Sequence, residues 1–133
     1  MSVDAIGNFL TALRNAIMAS KPFVVTPYSK MNVAIARILE QEGFIKSIET
    51  IQADAVKKQL KVVLKYVDGE SVIHALERIS KPGRRVYVGG KTIKPVIDGL
   101  GISILSTNKG VITDKQVKSQ QNTIGGEVLC TIW

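Results

Sequence analysis

Cysteine, histidine, acids and aromatic rings are all scarce in this chain, and each scarcity removes a class of function. Cys130 is the single cysteine in 133 residues, which excludes an internal disulfide and any multi-cysteine metal site. It lies in a terminal apolar segment and reads as a plain buried thiol. His74 is the single histidine, with no cysteine, serine or acid at a diagnostic spacing. No carboxylate pair stands out in a glycine-rich loop, so general acid–base and nucleophilic catalysis have no visible machinery. No cofactor or metal is expected, and the chain reads as non-enzymatic. Three Phe, three Tyr and one Trp are too few for recognition dominated by stacking. No apolar run approaches the roughly 20 residues of a membrane span. No secretory or transit segment is visible, so the expectation is a cytoplasmic protein, with an organelle as the other location.

What the chain has is positive charge. Lys and Arg number 18 against 11 acids, a formal charge of +7, which favours nucleic acid or another anionic surface as partner. Residues 1–80 hold ten bases and eight acids, whereas 81–133 hold eight bases and three acids. An anion is therefore expected to dock on the C-terminal part. At 45% apolar and 22% charged, the chain can bury a core of its own.

Two glycine-bearing stretches fail as nucleotide sites. Val88-Gly89-Gly90-Lys91-Thr92 ends like a phosphate loop, but Arg85 stands where that loop needs its first glycine. Gly99-Leu100-Gly101 is followed by strand-like residues where a dinucleotide motif needs a helix.

Periodicity organises the rest. Ile6, Phe9, Leu10, Leu13 and Ile17 predict a helix from Ala5 to Ala19, capped by Asp4. Its other face (Gly7, Asn8, Thr11, Arg14, Asn15, Met18) is either solvated or a second contact surface. A strand over Phe23 to Thr26 follows, then a helix from Ser29 as cap to Glu42, stopped by Gly43. Met31, Ala34, Ile35, Ile38 and Leu39 are expected inward. Strands are expected from Phe44 to Ile51 and along Leu60, Val62, Leu64 and Tyr66. Residues 72–79 suit a short helix or, preferably, the first arm of a hairpin. Lys81-Pro82-Gly83-Arg84 reads as its type II turn and Arg84 to Val88 as its second arm. A brief helix over 93–98, a buried strand at Ile102, Ile104 and Leu105, and a loop from Ser106 to Gly110 come next. Thr113 and Gln116 form a capping box for a short basic helix with Lys115 and Lys118. The chain closes with a strand over Glu127 to Trp133. The fold class is α+β in two tightly packed lobes: 1–67 with two helices on a small sheet, and 68–133 mostly antiparallel β with short helices.

RNA is the anion these residues suit. Lys81, Arg84, Arg85, Lys91, Lys94, Lys109, Lys115 and Lys118 can neutralise phosphates. Ser106, Thr107 and Asn108 can hydrogen-bond base edges or the 2′-hydroxyl that only RNA carries. Tyr87 either stacks on an unpaired base or belongs to the core.

The same residues resemble the ribosomal protein S-eight family of bacteria and organelles over nearly the full length. The likeness runs through Asp4-Ala5-Ile6 and Arg14-Asn15-Ala16, then Ser29-Lys30 and Glu42-Gly43-Phe44-Ile45. It continues in Ile79-Ser80-Lys81-Pro82-Gly83-Arg84-Arg85-Val86-Tyr87 and Gly99-Leu100-Gly101-Ile102. Leu105-Ser106-Thr107-Asn108-Lys109-Gly110, Thr113-Asp114 and Gly125-Gly126-Glu127-Val128-Leu129-Cys130 complete it. The resemblance implies a structural component of the small subunit that binds the central domain of its ribosomal RNA and aids assembly. It implies RNA contacts at Ser106, Thr107, Asn108, Lys109 and Gly110, with Tyr87, Gly125, Gly126 and Glu127 contributing. Lys81, Arg84, Lys115, Lys118, Arg14, Asn15, Ser29 and Lys30 complete the expected set. Implied partners are neighbouring small-subunit proteins (five and twelve) and the messenger of its own operon. The alternative is a basic protein-interaction module with no specific RNA recognition.

Overall fold

Phe9, Leu10, Leu13 and Ala16 recur at helical spacing and are the buried residues of α1 (Ala5–Met18). In this computed structural model, residues 5–52, 54, 57–89, 96, 100–119 and 125–133 are described. The expected Asp4 cap, Lys91, Lys94 and the helix over 93–98 (Val96 apart) lie outside them. α1 ends in a Schellman motif. Ser20 takes a left-handed φ of 52°, while Ser20 N–H donates to Ile17 O (3.0 Å) and Lys21 N–H to Ala16 O (2.9 Å). β1 (Phe23–Pro27) leads into α2 (Lys30–Gln41). Ser29 caps α2 as expected, its hydroxyl accepting from Asn32 N–H at 3.0 Å. Gly43, at φ 82°, stops it in a second Schellman motif. Within α2, Asn32 and Ala36 are buried beside Ile35, Ile38 and Leu39, whereas Met31 and Ala34 are half-buried. The inward face is thus turned slightly from the expected one.

β2 (Ile45–Gln52) and β3 (Lys58–Leu64) close an antiparallel sheet of order β1-β3-β2. Leu60, Val62 and Leu64 point from its central strand into the core with Phe9, Leu13, Ile35 and Leu39. A small hairpin follows: β4 (Tyr66–Val67) and β5 (Glu70–Ser71) join through Asp68 and Gly69, both at positive φ (52° and 80°). That is the type I′ geometry matching strand twist.

Contacts divide the chain into two compact units, the first being 5–74 and the second holding 75–133. In the second, β10 (Gly126–Ile132) is the central strand. One edge takes β8 (Ile102–Thr107), which pairs on with β9 (Gly110–Thr113). The other takes β6 (Leu76–Arg78) and then β7 (Tyr87–Val88). The fold is α+β, as expected, and every ladder among the described residues is antiparallel.

Residues 72–88 depart from the expected hairpin. β6 and β7 lie end to end along β10 rather than on each other, meeting only in the Lys81↔Arg84 bridge. Ser80 causes the split. Its hydroxyl accepts from Val86 N–H (2.8 Å) and donates to Val86 O (3.3 Å), an oxygen that also accepts from Val128 N–H of β10 (2.9 Å). Val86 is thus held by a buried serine and by β10 rather than by a long second arm. The turn is not type II, because Gly83 does not take the left-handed φ that type requires.

The capping box forms as read. Thr113 N–H donates to Gln116 Oε1 (3.0 Å) and Gln116 N–H to Thr113 Oγ1 (3.2 Å), starting α3 (Asp114–Ser119). Buried Asp114 accepts from Ser103 N–H at 3.1 Å, tying α3 to β8.

Cys130 is fully buried in β10, and burial pushes its thiol up to about 12, with Arg78 pulling weakly the other way. Above the ordinary thiol value of about 8.5, the unfolded chain loses a proton that the folded chain keeps, so stability falls as pH rises. Relative to Cys130→Ala, the protein should lose about 1.4 kcal/mol per pH unit across this window. Urea unfolding of both proteins at pH 8, 9, 10 and 11 measures it, and a difference independent of pH would contradict the burial.

Candidate nucleic-acid interface

The polar stretch after Leu105 is a strand end and a tight turn, not an open loop. Ser106 and Thr107 complete β8, and Asn108-Lys109 make the connection to β9. Only Gly110 is left-handed there (φ 104°), the pattern of a type I turn followed by a glycine bulge. Thr107 holds the turn: its hydroxyl donates to Gly110 O (2.8 Å) and accepts from Lys109 N–H (3.1 Å). Asn108 and Lys109 are left at the exposed tip.

Register brings three distant candidates side by side. Glu127 on β10 is the Cα partner of Tyr87 on one side and of Ser106 on the other. Directly paired residues in antiparallel strands share a face, so Tyr87, Glu127 and Ser106 form one row across β7, β10 and β8. Tyr87 is 69% exposed, which removes its core reading. Glu127 is held from above by Arg85, whose guanidinium lies 3.0 Å from its carboxylate. By sequence Arg85 reads only as a phosphate neutraliser. Its separation of 42 positions from Glu127 leaves no local signal of the pairing.

Gly126 sits beside this row for an intramolecular reason. A Cβ there would run into Ser106 O and lie 2.9 Å from Thr107 Cγ2. At Gly125 a Cβ would come within 2.7 Å of Val88 O. Both glycines let neighbouring strands close on β10 and so set the spacing of the row.

Other candidates stand elsewhere. Leu105 and Val128, which alternate with Ser106 and Glu127, pack against Val117 of α3. α3 therefore covers the opposite face of the sheet, and its exposed Lys115 and Lys118 lie on the far side from the row. Thr107 also alternates away from Ser106, so the two hydroxyls do not share a face. Lys81 and Arg84 flank the exposed 82–83 turn and line a groove of about 330 Å³ with Glu77 and Val86. Arg14, Asn15, Ser29 and Lys30 belong to the 5–74 unit. Arg14 and Asn15 are exposed on α1, and the Ser29 hydroxyl is engaged in capping.

The row offers a hydroxyl, a carboxylate and an open aromatic face, beside an amide and an ammonium at the hairpin tip. It can hydrogen-bond, stack and neutralise phosphate. It holds no nucleophile paired with a base.

Comparison with known proteins gives the family. The family model for ribosomal protein S8 matches residues 4–133. The small ribosomal subunit protein uS8 of Paracoccus denitrificans is 46% identical over 98% of this chain and 97% of its own length. Those of Bartonella bacilliformis and Halothermothrix orenii are 47% and 48% identical over the same shares. With likeness at this level from end to end, this chain belongs to the ribosomal protein S8 family.

Proposed function

We propose that this chain is a structural constituent of the small ribosomal subunit. It binds the central domain of the subunit's RNA through the row Tyr87–Glu127–Ser106 and the Asn108–Lys109 tip, in the cytoplasm and beside other small-subunit proteins. The observation that carries the reading is the register that aligns Tyr87, Glu127 and Ser106 on one face. In this geometry Tyr87 stacks on an exposed base or ribose, Ser106 hydrogen-bonds a base edge or 2′-hydroxyl, and Lys109 meets a phosphate. Glu127, positioned by Arg85, accepts from a ribose hydroxyl or a base amine. Thr107 contributes by shaping the turn.

Filter binding to a central-domain RNA fragment and to an unrelated hairpin of equal length tests this, at two salt concentrations. The cognate fragment should bind at least tenfold tighter at both, with affinity falling as salt rises by a slope of roughly 0.7–0.9 per phosphate contacted. Equal affinity for the two RNAs would overturn the reading in favour of a basic protein-interaction module.

A further inference from the structure

In the 5–74 unit the edge strand β1 leaves part of its backbone turned outward. Leu64 N–H donates to Pro22 O (2.9 Å), and Tyr28 N–H donates to Lys58 O (3.3 Å). Between them Val24 pairs with Val62 and Thr26 with Leu60, so alternation turns the peptide groups of Phe23 and Val25 away from β3. Pro22 and Pro27 bracket this stretch and carry no N–H, leaving one short register open for pairing. Such an edge invites another strand.

A groove of about 520 Å³ runs beside that edge, within the roughly 300–1,000 Å³ of clefts that take ligands. Ala12 and Ala16 of α1, with Ala19 just past its end, form one wall, and Phe23, Val24 and Val25 form the other. Phe23 and Val25 are 43% and 40% exposed, a high figure for apolar residues two apart on one strand face. Lys21 also lines the groove, Lys61 Nζ sits 4.4 Å over the Phe23 ring, and Lys58 Nζ sits 5.4 Å over the Tyr28 ring. Glu49 is the nearest acid by register, opposite Lys61.

We propose that this groove takes an extended acidic segment of a partner protein, added along β1 as a fourth strand of the sheet β1-β3-β2. Backbone pairing to Phe23 and Val25 supplies the affinity common to strand addition, and the methyl-lined groove takes alternate apolar side chains. Asn15, which also lines the groove, can bond the added backbone. Lys21, Lys58 and Lys61 select acidic flanks. RNA fits this surface less well: the exposed rings of Phe23 and Tyr28 already have an ammonium over them, and most of the lining residues are apolar. The inference is independent of the proposed RNA surface, since none of its residues belongs to the Tyr87–Glu127–Ser106 row or the Asn108–Lys109 tip.

The probe is a fluorescent peptide, Asp-Glu-Val-Thr-Val-Thr-Val-Asp-Glu, titrated into the full chain with amide exchange followed at Phe23 and Val25. Binding should slow exchange at both amides and be at least tenfold tighter than for the same peptide with Lys in place of its acids. Val25→Pro removes an outward N–H that β3 does not use and should abolish binding. Ala19→Glu, at an exposed position of the wall, should weaken it at least tenfold, with circular dichroism verifying that both variants fold. Unchanged exchange at Phe23 and Val25, equal binding of the lysine peptide, or displacement by a single-stranded oligoribonucleotide would overturn the proposal. Slow exchange without peptide, from self-association through β1, would overturn it too.

Discussion

Gly126→Ala should destabilise the protein by about 2–3 kcal/mol, the upper part of the range for forcing an extra methyl into a packed site. The new Cβ meets Ser106 O, a main-chain atom of a strand hydrogen-bonded on both sides, so no side-chain rotation relieves the clash. β8 and β10 must separate where Glu127 pairs with Ser106, and the same displacement spoils the candidate RNA row. Gly83→Ala is the matched control, because a Cβ there meets nothing within 4 Å and the backbone is not left-handed. Urea unfolding of the two variants should differ in midpoint with little change in slope. Equal midpoints would mean that β8 and β10 do not approach as described.

Tyr87→Ala should weaken binding of the central-domain RNA fragment by roughly 1–3 kcal/mol, the typical worth of a stacked base. The ring is mostly exposed, so its removal costs the fold little, and it carries no charge, so the salt slope should hold. Lys109→Ala should behave in the complementary way, with a smaller loss of affinity and a salt slope lower by about one phosphate. Lys115→Ala combined with Lys118→Ala separates this geometry from a simple count of charges. Those lysines lie across the sheet from the row, and their joint loss should cost less than Tyr87→Ala alone. Filter binding of the three variants over a salt series decides it. A double lysine variant weaker than Tyr87→Ala would move the interface to the α3 face.

Much of the local structure was legible in advance. The apolar stripe of α1, the Ser29 cap, the Gly43 stop and the Thr113–Gln116 box each involve residues no more than four or five apart. At that range backbone geometry dictates which side chains meet. The errors lie where a distant group intervened. The 81–84 turn looks like the tip of a long hairpin, yet buried Ser80 claims Val86 and sends both short strands to β10. Ser106 and Thr107 look like one hydroxyl pair, yet strand alternation puts them on opposite faces and the turn occupies the threonine. Gly125 and Gly126, which the family resemblance puts among the RNA contacts, are also required by the close approach of β7 and β8 to β10.

By itself the sequence determined the α+β class, the helices α1, α2 and α3, the basic C-terminal half and membership of the ribosomal protein S8 family. These follow from period, capping chemistry and the joint order of many short motifs, all readable along one dimension. Only the tertiary structure decided which candidates form a surface. β10 must be bordered by β7 and β8 before Tyr87, Glu127 and Ser106 can meet, and α3 must pack on the other face before Lys115 and Lys118 are set apart. The reason is physical: strand register joins Glu127 to residues 21 and 40 positions away through backbone hydrogen bonds, and the choice of which strands pair is not written in the few residues around any one of them.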